Sequence, residues 1–328
     1  MKRITVLLLA VSVSAGVFAR GAAEETISIG MTKIVAHPAL DAVEQGIQDE
    51  LAELGYTDIA YDLQNANGDM SAASSIASKF KADGVTVAIG IATPTAQALA
   101  NSVKDIPVVF TAVTDPVDAG LVGSLSNGSG NVTGYSDMTP VREQIEMLVD
   151  FGGVTRIGHV YSSGEANAVT LANQAKETCE ALGVEFVPAT VTNSAEVRSA
   201  ALSIINKVDA IYLSTDNTVV SAIAALTEVA MNNNVPVVSA DPSSAEDFEI
   251  LAAYGFDYYT MGRATGRLVD EILKGADPGD IPVQFLTDAD DLVLLVNLDV
   301  AERLGIPISA DVIAEADKLV ENGSLRDN

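Results

Sequence analysis

The feature that most constrains the fold is a strand–turn–helix pattern that occurs twice in the chain. Residues 85–100 and residues 208–226 each read as a buried apolar strand, a short polar turn and a helix. Thr93 takes the N-cap position of the first helix and is followed by Pro94, whereas Asp216 takes the cap position of the second. Both segments therefore predict a βα unit whose polar turn follows the carboxyl end of a buried strand.

The repeat extends beyond these two segments, which are offset by 123 positions when Val85 is set against Val208. Residues 54–56 and 182–184 are offset by 128 positions, and residues 106–109 and 235–238 are offset by 129 positions. Such regular offsets predict one α/β unit built twice. Strands that alternate with helices indicate parallel sheets. The expected fold is α/β, with two doubly wound parallel-sheet lobes and a cleft between them.

Each predicted lobe contains two pieces of the chain. The first lobe comprises residues 24–135 and 256–283, and the second comprises residues 136–255 and 284–328. Residues 128–135 are rich in turn-forming residues and are expected to cross between the lobes. The chain is expected to return to the first lobe at residue 256 and to leave it again at residue 284. The lobes would therefore be joined by a hinge that the chain passes through several times.

The N-terminus predicts export from the cytoplasm. Lys2 and Arg3 precede an apolar run over residues 4–18, and residues 17–19 resemble the small-residue site of signal-peptide cleavage. The run is shorter than the about 20 residues of a membrane span, so residues 1–23 are interpreted as a cleaved signal peptide. No cysteine lies near the cut, so a lipid anchor is not expected. We predict a periplasmic protein.

Composition and motifs exclude several functional classes. A formal net charge of −27, from 45 acidic and 18 basic residues, disfavours binding to nucleic acid and to anionic membrane surfaces. Dinucleotide-binding, phosphate-loop and nucleophile-elbow motifs are absent from the sequence. Two histidines and one cysteine, widely separated, do not form a typical zinc site. We expect no cofactor, no metal and no catalytic residues, and therefore not an enzyme.

Polar residues cluster in the turns after the predicted strands, and these are the candidate ligand contacts. Helix N-termini after Thr93 and Asp216 suit a carboxylate, and the aspartates at 115, 216 and 241 suit an ammonium group. Taken singly, these residues also fit ordinary cap and turn chemistry. Their convergence in both copies favours a site for a zwitterion. The predicted ligand-binding residues are His37, Thr93, Thr95, Thr114, Asp115, Tyr135, Ser162, Glu165, Asn167, Asp216, Asn217 and Asp241.

Several segments together resemble a known family, the extracytoplasmic solute-binding proteins of ATP-binding-cassette (ABC) importers. The likeness is greatest to the subfamily that includes tryptophan- and tyrosine-binding members. It implies a type I periplasmic-binding fold, a ligand trapped when the two lobes close, and delivery of that ligand to a permease. The segments that carry the resemblance are residues 92–97, 109–116, 130–137, 164–167, 215–221 and 255–259.

The sequence thus predicts the periplasmic binding component of an ABC importer for a small, amino-acid-like and preferably aromatic solute. Its expected partners are that solute and a permease in the inner membrane, and the protein is expected to be a monomer. A sensor subunit that reports to a membrane receptor fits the sequence equally well. A hydrolase or isomerase on the same fold, or a cytoplasmic repressor core, fits it less well.

Overall fold

The computed structural model describes residues 26–288 and 291–328, so the predicted signal peptide lies outside the described residues. Within them the chain forms fourteen strands. In chain order these are β1 (Ser28–Lys33), β2 (Ala60–Asn65), β3 (Val87–Ile91), β4 (Val108–Val113), β5 (Val132–Ser136), β6 (Arg156–Ser162), β7 (Glu185–Val191), β8 (Ala210–Leu213), β9 (Val237–Ser239), β10 (Ala252–Phe256), β11 (Gln284–Phe285), β12 (Leu292–Asn297), β13 (Lys318–Glu321) and β14 (Ser324–Asp327).

Twelve α-helices connect the strands in the described part of the chain. They are α1 (Pro38–Glu53), α2 (Met70–Asp83), α3 (Thr93–Ser102), α4 (Val141–Asp150), α5 (Ala166–Leu182), α6 (Val197–Ile204), α7 (Asn217–Val220), α8 (Ile223–Asn232), α9 (Pro242–Asp247), α10 (Tyr258–Leu273), α11 (Leu298–Leu304) and α12 (Ala310–Glu315).

The strands form two sheets that repeat one order. The first sheet runs β2-β1-β3-β4-β5-β11, and all of its pairings are parallel. The second runs β7-β6-β8-β9-β10-β12-β13-β14, with antiparallel pairing only between β10 and β12 and between β13 and β14. Because the first five strands of both sheets follow the same doubly wound order, the prediction of two parallel-sheet lobes built from one repeated unit is confirmed.

The chain passes between the two sheets at three places. It leaves the first sheet after β5, returns between β10 and β11, and leaves again between β11 and β12. Met261 and Leu268 of α10 lie in the core beneath the first sheet, so this helix belongs to the first lobe. The predicted lobe limits differ slightly from the sheets, because Ser136 and Gln284–Phe285 pair within the first sheet.

The largest local difference from the sequence analysis is β5. Residues 128–135 were interpreted as a connection, yet Val132 begins a strand beside β4. Gly134 explains the turn-like composition, since a Cβ there would lie 1.9 Å from the carbonyl oxygen of Phe110 and 2.6 Å from its ring. Glycine is needed here for the close approach of two strands rather than for a turn.

We expect Gly134→Ala to lower the free energy of unfolding by about 2 kcal/mol, because the added methyl group overlaps the backbone of Phe110. Gly123→Ala is the control, since a Cβ at Gly123 would meet no atom within 4 Å. Urea unfolding followed by circular dichroism measures both variants. Equal stability of the two would contradict the close approach of β4 and β5.

A buried histidine lies within the second sheet. His159 of β6 is fully buried, and its Nδ1 lies 3.0 Å from the carbonyl oxygen of Tyr212. A carbonyl oxygen only accepts, so Nδ1 carries the proton of the neutral ring. The ring also stacks on Tyr161 and Tyr212. Burial lowers the pKa of His159 to about 4, so the imidazole is neutral at pH 7.

Protonation of His159 predicts a loss of stability in mild acid. The unfolded chain binds this proton near pH 6.5, whereas the folded chain resists it down to about pH 4. The contribution of His159 to the free energy of unfolding is therefore complete above pH 6.5. It decreases by about 2 kcal/mol between pH 7 and pH 5. His159→Phe keeps a stacked ring but cannot titrate.

We therefore expect wild-type protein to lose about 2 kcal/mol more than His159→Phe when the pH falls from 7 to 5. Urea unfolding of both proteins at the two pH values measures this difference. Other titrating groups are shared by the two proteins and cancel in the comparison. An identical pH dependence would contradict the neutral, buried state of His159.

Candidate functional site

The two sheets place equivalent polar turns opposite each other. In this strand order the switch point lies between β1 and β3 in the first sheet and between β6 and β8 in the second. His37 follows β1 as the residue before α1, and Asn217 is the first residue of α7 after β8. Nε2 of His37 lies 3.5 Å from Oδ1 of Asn217. The two switch points therefore meet across a cleft.

A cavity lies in this cleft. Its empty space measures about 340 Å³ when open solvent at its mouth is included. Both lobes contribute to its wall, which is the arrangement expected of a site that holds one ligand between them. The predicted site residues that line it are His37, Thr114, Asn167, Asn217 and Asp241.

A second space adjoins the first through Asn217, which borders both. It measures about 670 Å³, again with open solvent included, and is wider. Ser162 and Glu165 line it from the second lobe, and Pro94 lines it from the first. Ser162 and Glu165, which are both predicted site residues, therefore lie at the approach to the inner cavity rather than in its wall.

The remaining predicted site residues lie outside both walls, namely Thr93, Thr95, Asp115, Tyr135 and Asp216. The hydroxyl of Thr95 donates to the carbonyl oxygen of Ile91, 2.6 Å away, at the start of α3. Tyr135 is half-buried in β5 beside β11. The buried hydroxyl of Thr93 has no hydrogen-bond partner among the described residues.

Asp115 and Asp216 are engaged by backbone amides. Oδ1 of Asp115 accepts from the N–H groups of Val117 and Asp118, 3.0 and 2.9 Å away, so it forms the turn after β4. Asp216 is fully buried and accepts from the N–H groups of Ser162 and Val219, at 2.5 and 3.0 Å. Local turn and cap chemistry, left open by the sequence, thus accounts for the position of both carboxylates.

The environment of Asp216 is unusual for a cap. Burial and the neighbouring Glu165 carboxylate together raise the pKa of Asp216 to about 8, although hydrogen bonds from backbone N–H groups oppose this shift. At neutral pH the protonated form of Asp216 is therefore well populated. A group in this state is a poor partner for an ammonium ion.

The cavity wall also contains Asp137 and Tyr258, which are not among the twelve predicted ligand-binding residues. Asp137 lies in the segment between β5 and α4, and Tyr258 is the first residue of α10. Oδ2 of Asp137 accepts from the Tyr258 hydroxyl at 2.9 Å, and Oδ1 accepts from Thr114 at 3.3 Å. Two of the crossings between the lobes therefore meet at the floor of the cavity.

Asp137 carries its charge less readily than an exposed aspartate. Burial raises the pKa of Asp137 to about 6, although hydrogen bonds from Tyr258 and Thr114 oppose this shift. Asp241, at the N-cap of α9, lines the same cavity and accepts from the N–H of Ser243 at 3.0 Å. The cavity thus holds two buried carboxylates from different parts of the chain.

The wall of the cavity offers mainly hydrogen-bond acceptors. Oδ1 of Asn167, Nδ1 of His37 and the hydroxyl of Thr215 are buried and have no partner among the described residues. Burial lowers the pKa of His37, so its ring is neutral at pH 7 and Nδ1 or Nε2 is an acceptor. No lysine or arginine occurs among the described residues of the wall. The cavity therefore suits a ligand that donates hydrogen bonds and carries positive charge.

An apolar side completes the cavity. Leu40, Val220 and Ala112 line it together with the ring of Tyr258. Ala112 has a φ of 51° and Ala92 a φ of 76°, so non-glycine residues adopt left-handed backbone near the carboxyl ends of β4 and β3. Such conformations concentrate at ligand sites, where the surrounding structure enforces them. Nothing in the sequence marks these alanines as special.

Metal binding and membrane insertion find no support in the described parts of the chain. Over residues 26–288 and 291–328, no three or more histidine, cysteine or acidic side chains are placed to share a metal ion. Within the same residues, each helix is too short or too polar to cross a bilayer.

Comparison with known proteins gives a consistent result. Residues 28–320 match the family described as ABC transporter substrate binding protein. Over 291 residues the chain is 37% identical to a tyrosine-binding protein of Clostridioides difficile (strain R20291), and the alignment covers 87% of this chain and 83% of that protein.

Two solved structures indicate the arrangement of the lobes. An ABC domain from Streptococcus pneumonia in complex with L-Trp is 35% identical, with a TM-score of 0.86 over 90% of this chain and 100% of that one. The ligand-free, open structure of a Clostridium difficile substrate binding protein with adhesive properties is 36% identical over 90% of this chain and 99% of that one, but its TM-score is 0.67. Although the identities are nearly equal, this chain superposes better on the L-Trp complex than on the ligand-free, open structure.

Proposed function

We propose that this chain, which belongs to the ABC transporter substrate-binding protein family, captures a free aromatic amino acid between its lobes for an ABC importer. The observation that carries the proposal is the inner cavity, which combines two buried carboxylates with several unpartnered acceptors. An α-ammonium group supplies three N–H donors and one positive charge, and is the group that such a wall recognises.

The ammonium group is placed between Asp137 and Asp241. Both carboxylates are almost fully buried and line the same cavity. Burying charge is costly, and a bound ammonium would stabilise both carboxylates at once. The Thr114 hydroxyl, which already contacts Asp137, is a further acceptor at this end.

The side chain of the ligand is placed against the apolar part of the wall. Leu40 and Val220 approach from opposite lobes, and the Tyr258 ring offers a face for stacking. The ligand carboxylate would point from this cavity towards the second space, which Pro94 at the start of α3 lines, because the positive dipole end of a helix suits an anion. Relatives described as tyrosine-binding and as bound to L-Trp support an aromatic side chain.

Capture by closure of the lobes follows from the position of the cavity. A ligand enclosed by both lobes can enter only when they separate, and the crossings after β5 and β10 are where such a motion would occur. Release would deliver the ligand to a permease in the inner membrane. The signal peptide predicted over residues 1–23 supports a protein that works in the periplasm, and we propose that it acts there as a monomer.

Titration calorimetry and thermal shift with the standard amino acids, aromatic acids and nucleosides test the proposal. We expect saturable binding and a raised Tm with L-tyrosine or L-tryptophan, and no chemical change in the recovered ligand. Binding of a nucleoside or sugar in preference to all amino acids would contradict the proposed ligand class. Turnover of a bound amino acid would favour an enzyme instead.

A further inference from the structure

We infer that Glu165 is a positioning residue that fixes the amide of Asn217 and, through it, the tautomer of His37 in the cavity wall. The three side chains form a relay that crosses the cleft, with Glu165 and Asn217 on the second lobe and His37 on the first. The relay decides whether the wall offers the ligand an acceptor or a donor at His37. This inference deepens the proposed function and rests on it for the identity of the ligand.

The first step of the relay is set by Glu165, which is almost fully buried before α5. Its Oε1 accepts from the backbone N–H and the hydroxyl of Thr218, at 3.0 and 2.6 Å. Its Oε2 accepts from Nδ2 of Asn217 at 2.6 Å. Because a carboxylate only accepts, the NH₂ group of Asn217 must point towards Glu165.

The second step follows from the first. With its NH₂ group turned to Glu165, Asn217 presents Oδ1 to the opposite lobe, 3.5 Å from Nε2 of His37. An amide oxygen is an acceptor, so the neutral His37 ring must carry its proton on Nε2. Nδ1 then keeps its lone pair, and it is buried with no partner among the described residues of the chain. The cavity therefore presents an acceptor at this point.

The charged groups around His37 do not change this assignment. Asp41 of α1, Asp241 before α9 and Glu165 before α5 all favour a protonated ring, but burial outweighs them and leaves the pKa of His37 lowered. In the neutral ring, Asn217 is the hydrogen-bond partner among the described residues that selects between the two nitrogens. The orientation of that amide is thus the deciding feature.

His159 provides an internal reference, since the chain has two histidines. Its Nδ1 faces the carbonyl oxygen of Tyr212, which requires the opposite tautomer. The structure therefore assigns Nε2–H to His37 and Nδ1–H to His159. Nitrogen-15 NMR of imidazole rings distinguishes the two forms directly.

Glu165→Gln tests the relay. The N–H of Thr218 still needs an acceptor, so the amide oxygen of the new glutamine should stay on Thr218 and its NH₂ group should face Asn217. The Asn217 amide would then rotate and turn its own NH₂ group towards His37. The His37 tautomer should shift to Nδ1–H, which turns the acceptor in the cavity into a donor. A ligand donor would lose its partner, and we expect affinity to fall about 10-fold.

The control is Glu196→Gln. Oε2 of Glu196 accepts from the backbone N–H and the hydroxyl of Thr192, at 2.7 and 3.0 Å, so it holds a turn in the same manner but lies outside the walls of the cleft. We expect this variant to leave the His37 tautomer and the affinity unchanged. A role of Glu165 in holding its turn alone would not move the tautomer.

Spectra of 15N-histidine-labelled protein are recorded with and without saturating L-tyrosine or L-tryptophan, and calorimetry measures affinity. The relay predicts mainly Nε2–H at His37 in wild type and in Glu196→Gln, and mainly Nδ1–H in Glu165→Gln. An Nδ1–H ring in wild type, or an unchanged ring in folded Glu165→Gln, would overturn it. The wild-type spectrum decides alone if Glu165→Gln does not fold. If neither amino acid binds wild type, the proposed function fails, while the spectra of the free proteins still decide the relay.

Discussion

Asp137→Asn is expected to weaken the binding of L-tyrosine or L-tryptophan by about 100-fold, which corresponds to about 3 kcal/mol. The substitution keeps the shape of the side chain and an acceptor for Tyr258, but it removes a buried charge from the cavity floor. The ammonium group would then be buried against one carboxylate instead of two. Titration calorimetry of the folded variant measures the loss.

The same site predicts a pH dependence. Asp137 must be ionised to pair with an ammonium, and its pKa in the free protein is raised to about 6 by burial. Above that value the pair is available, and below it protons compete with the ligand. Affinity should therefore be constant between pH 7 and 8 and decrease by up to tenfold per unit below about pH 6. The affinity of Asp137→Asn should not show this decrease, because asparagine does not titrate.

Asp115→Asn is the matched control for Asp137→Asn. Asp115 was also predicted to hold the ammonium, but its carboxylate caps the turn of residues 115–118 outside the cavity wall. We expect the affinity of Asp115→Asn for the amino acid to stay within about twofold of wild type, because substitutions away from a site are nearly neutral. A larger loss in Asp115→Asn than in Asp137→Asn would contradict the placement of the ammonium.

Removing the amine from the ligand is expected to have a still larger effect. The amine-free acid 3-(4-hydroxyphenyl)propionate keeps the ring and carboxylate of L-tyrosine but brings no positive charge to Asp137 and Asp241. We expect its affinity to be about 1,000-fold lower, which corresponds to about 4 kcal/mol. Competition against the tighter-binding amino acid, followed by calorimetry, measures it.

Tyramine, which keeps the amine and lacks the carboxylate, is the companion ligand. Because no lysine or arginine lines the described wall of the cavity, tyramine should bind more tightly than the amine-free acid. The penalty for removing the amine should also shrink in Asp137→Asn, since one of its two partners is then gone. Equal affinities of L-tyrosine and the amine-free acid would contradict an ammonium site.

Much of the fold could be predicted from the sequence because local patterns of apolar and polar residues predict the strands and helices in both copies of the repeated unit. Strand β8 (Ala210–Leu213) begins the predicted unit of residues 208–226, since these four residues form an apolar run before a polar turn. Strand β5 was missed because its glycine serves close packing, which looks like a turn in the sequence. Strand β14 (Ser324–Asp327) forms because it pairs with β13, which local pattern alone does not indicate.

The candidate site was predicted only in part because equivalent turns carry similar residues. Asp115, Asp216 and Asp241 all follow predicted strands, and only the structure separates the two that lie outside the cavity wall from the one that lines it. Asp137 and Tyr258 are 121 positions apart and belong to connections between the lobes. Their meeting depends on how the crossings pack, for which no periodic pattern exists.

A crystal structure of the mature protein grown with L-tyrosine, or with L-tryptophan if it binds more tightly, tests the central claim most directly. We expect the amino acid to lie between the lobes, with its nitrogen at about 2.7–2.9 Å from carboxylate oxygens of both Asp137 and Asp241. A ligand held by one lobe alone, or with its nitrogen far from both carboxylates, would contradict the account.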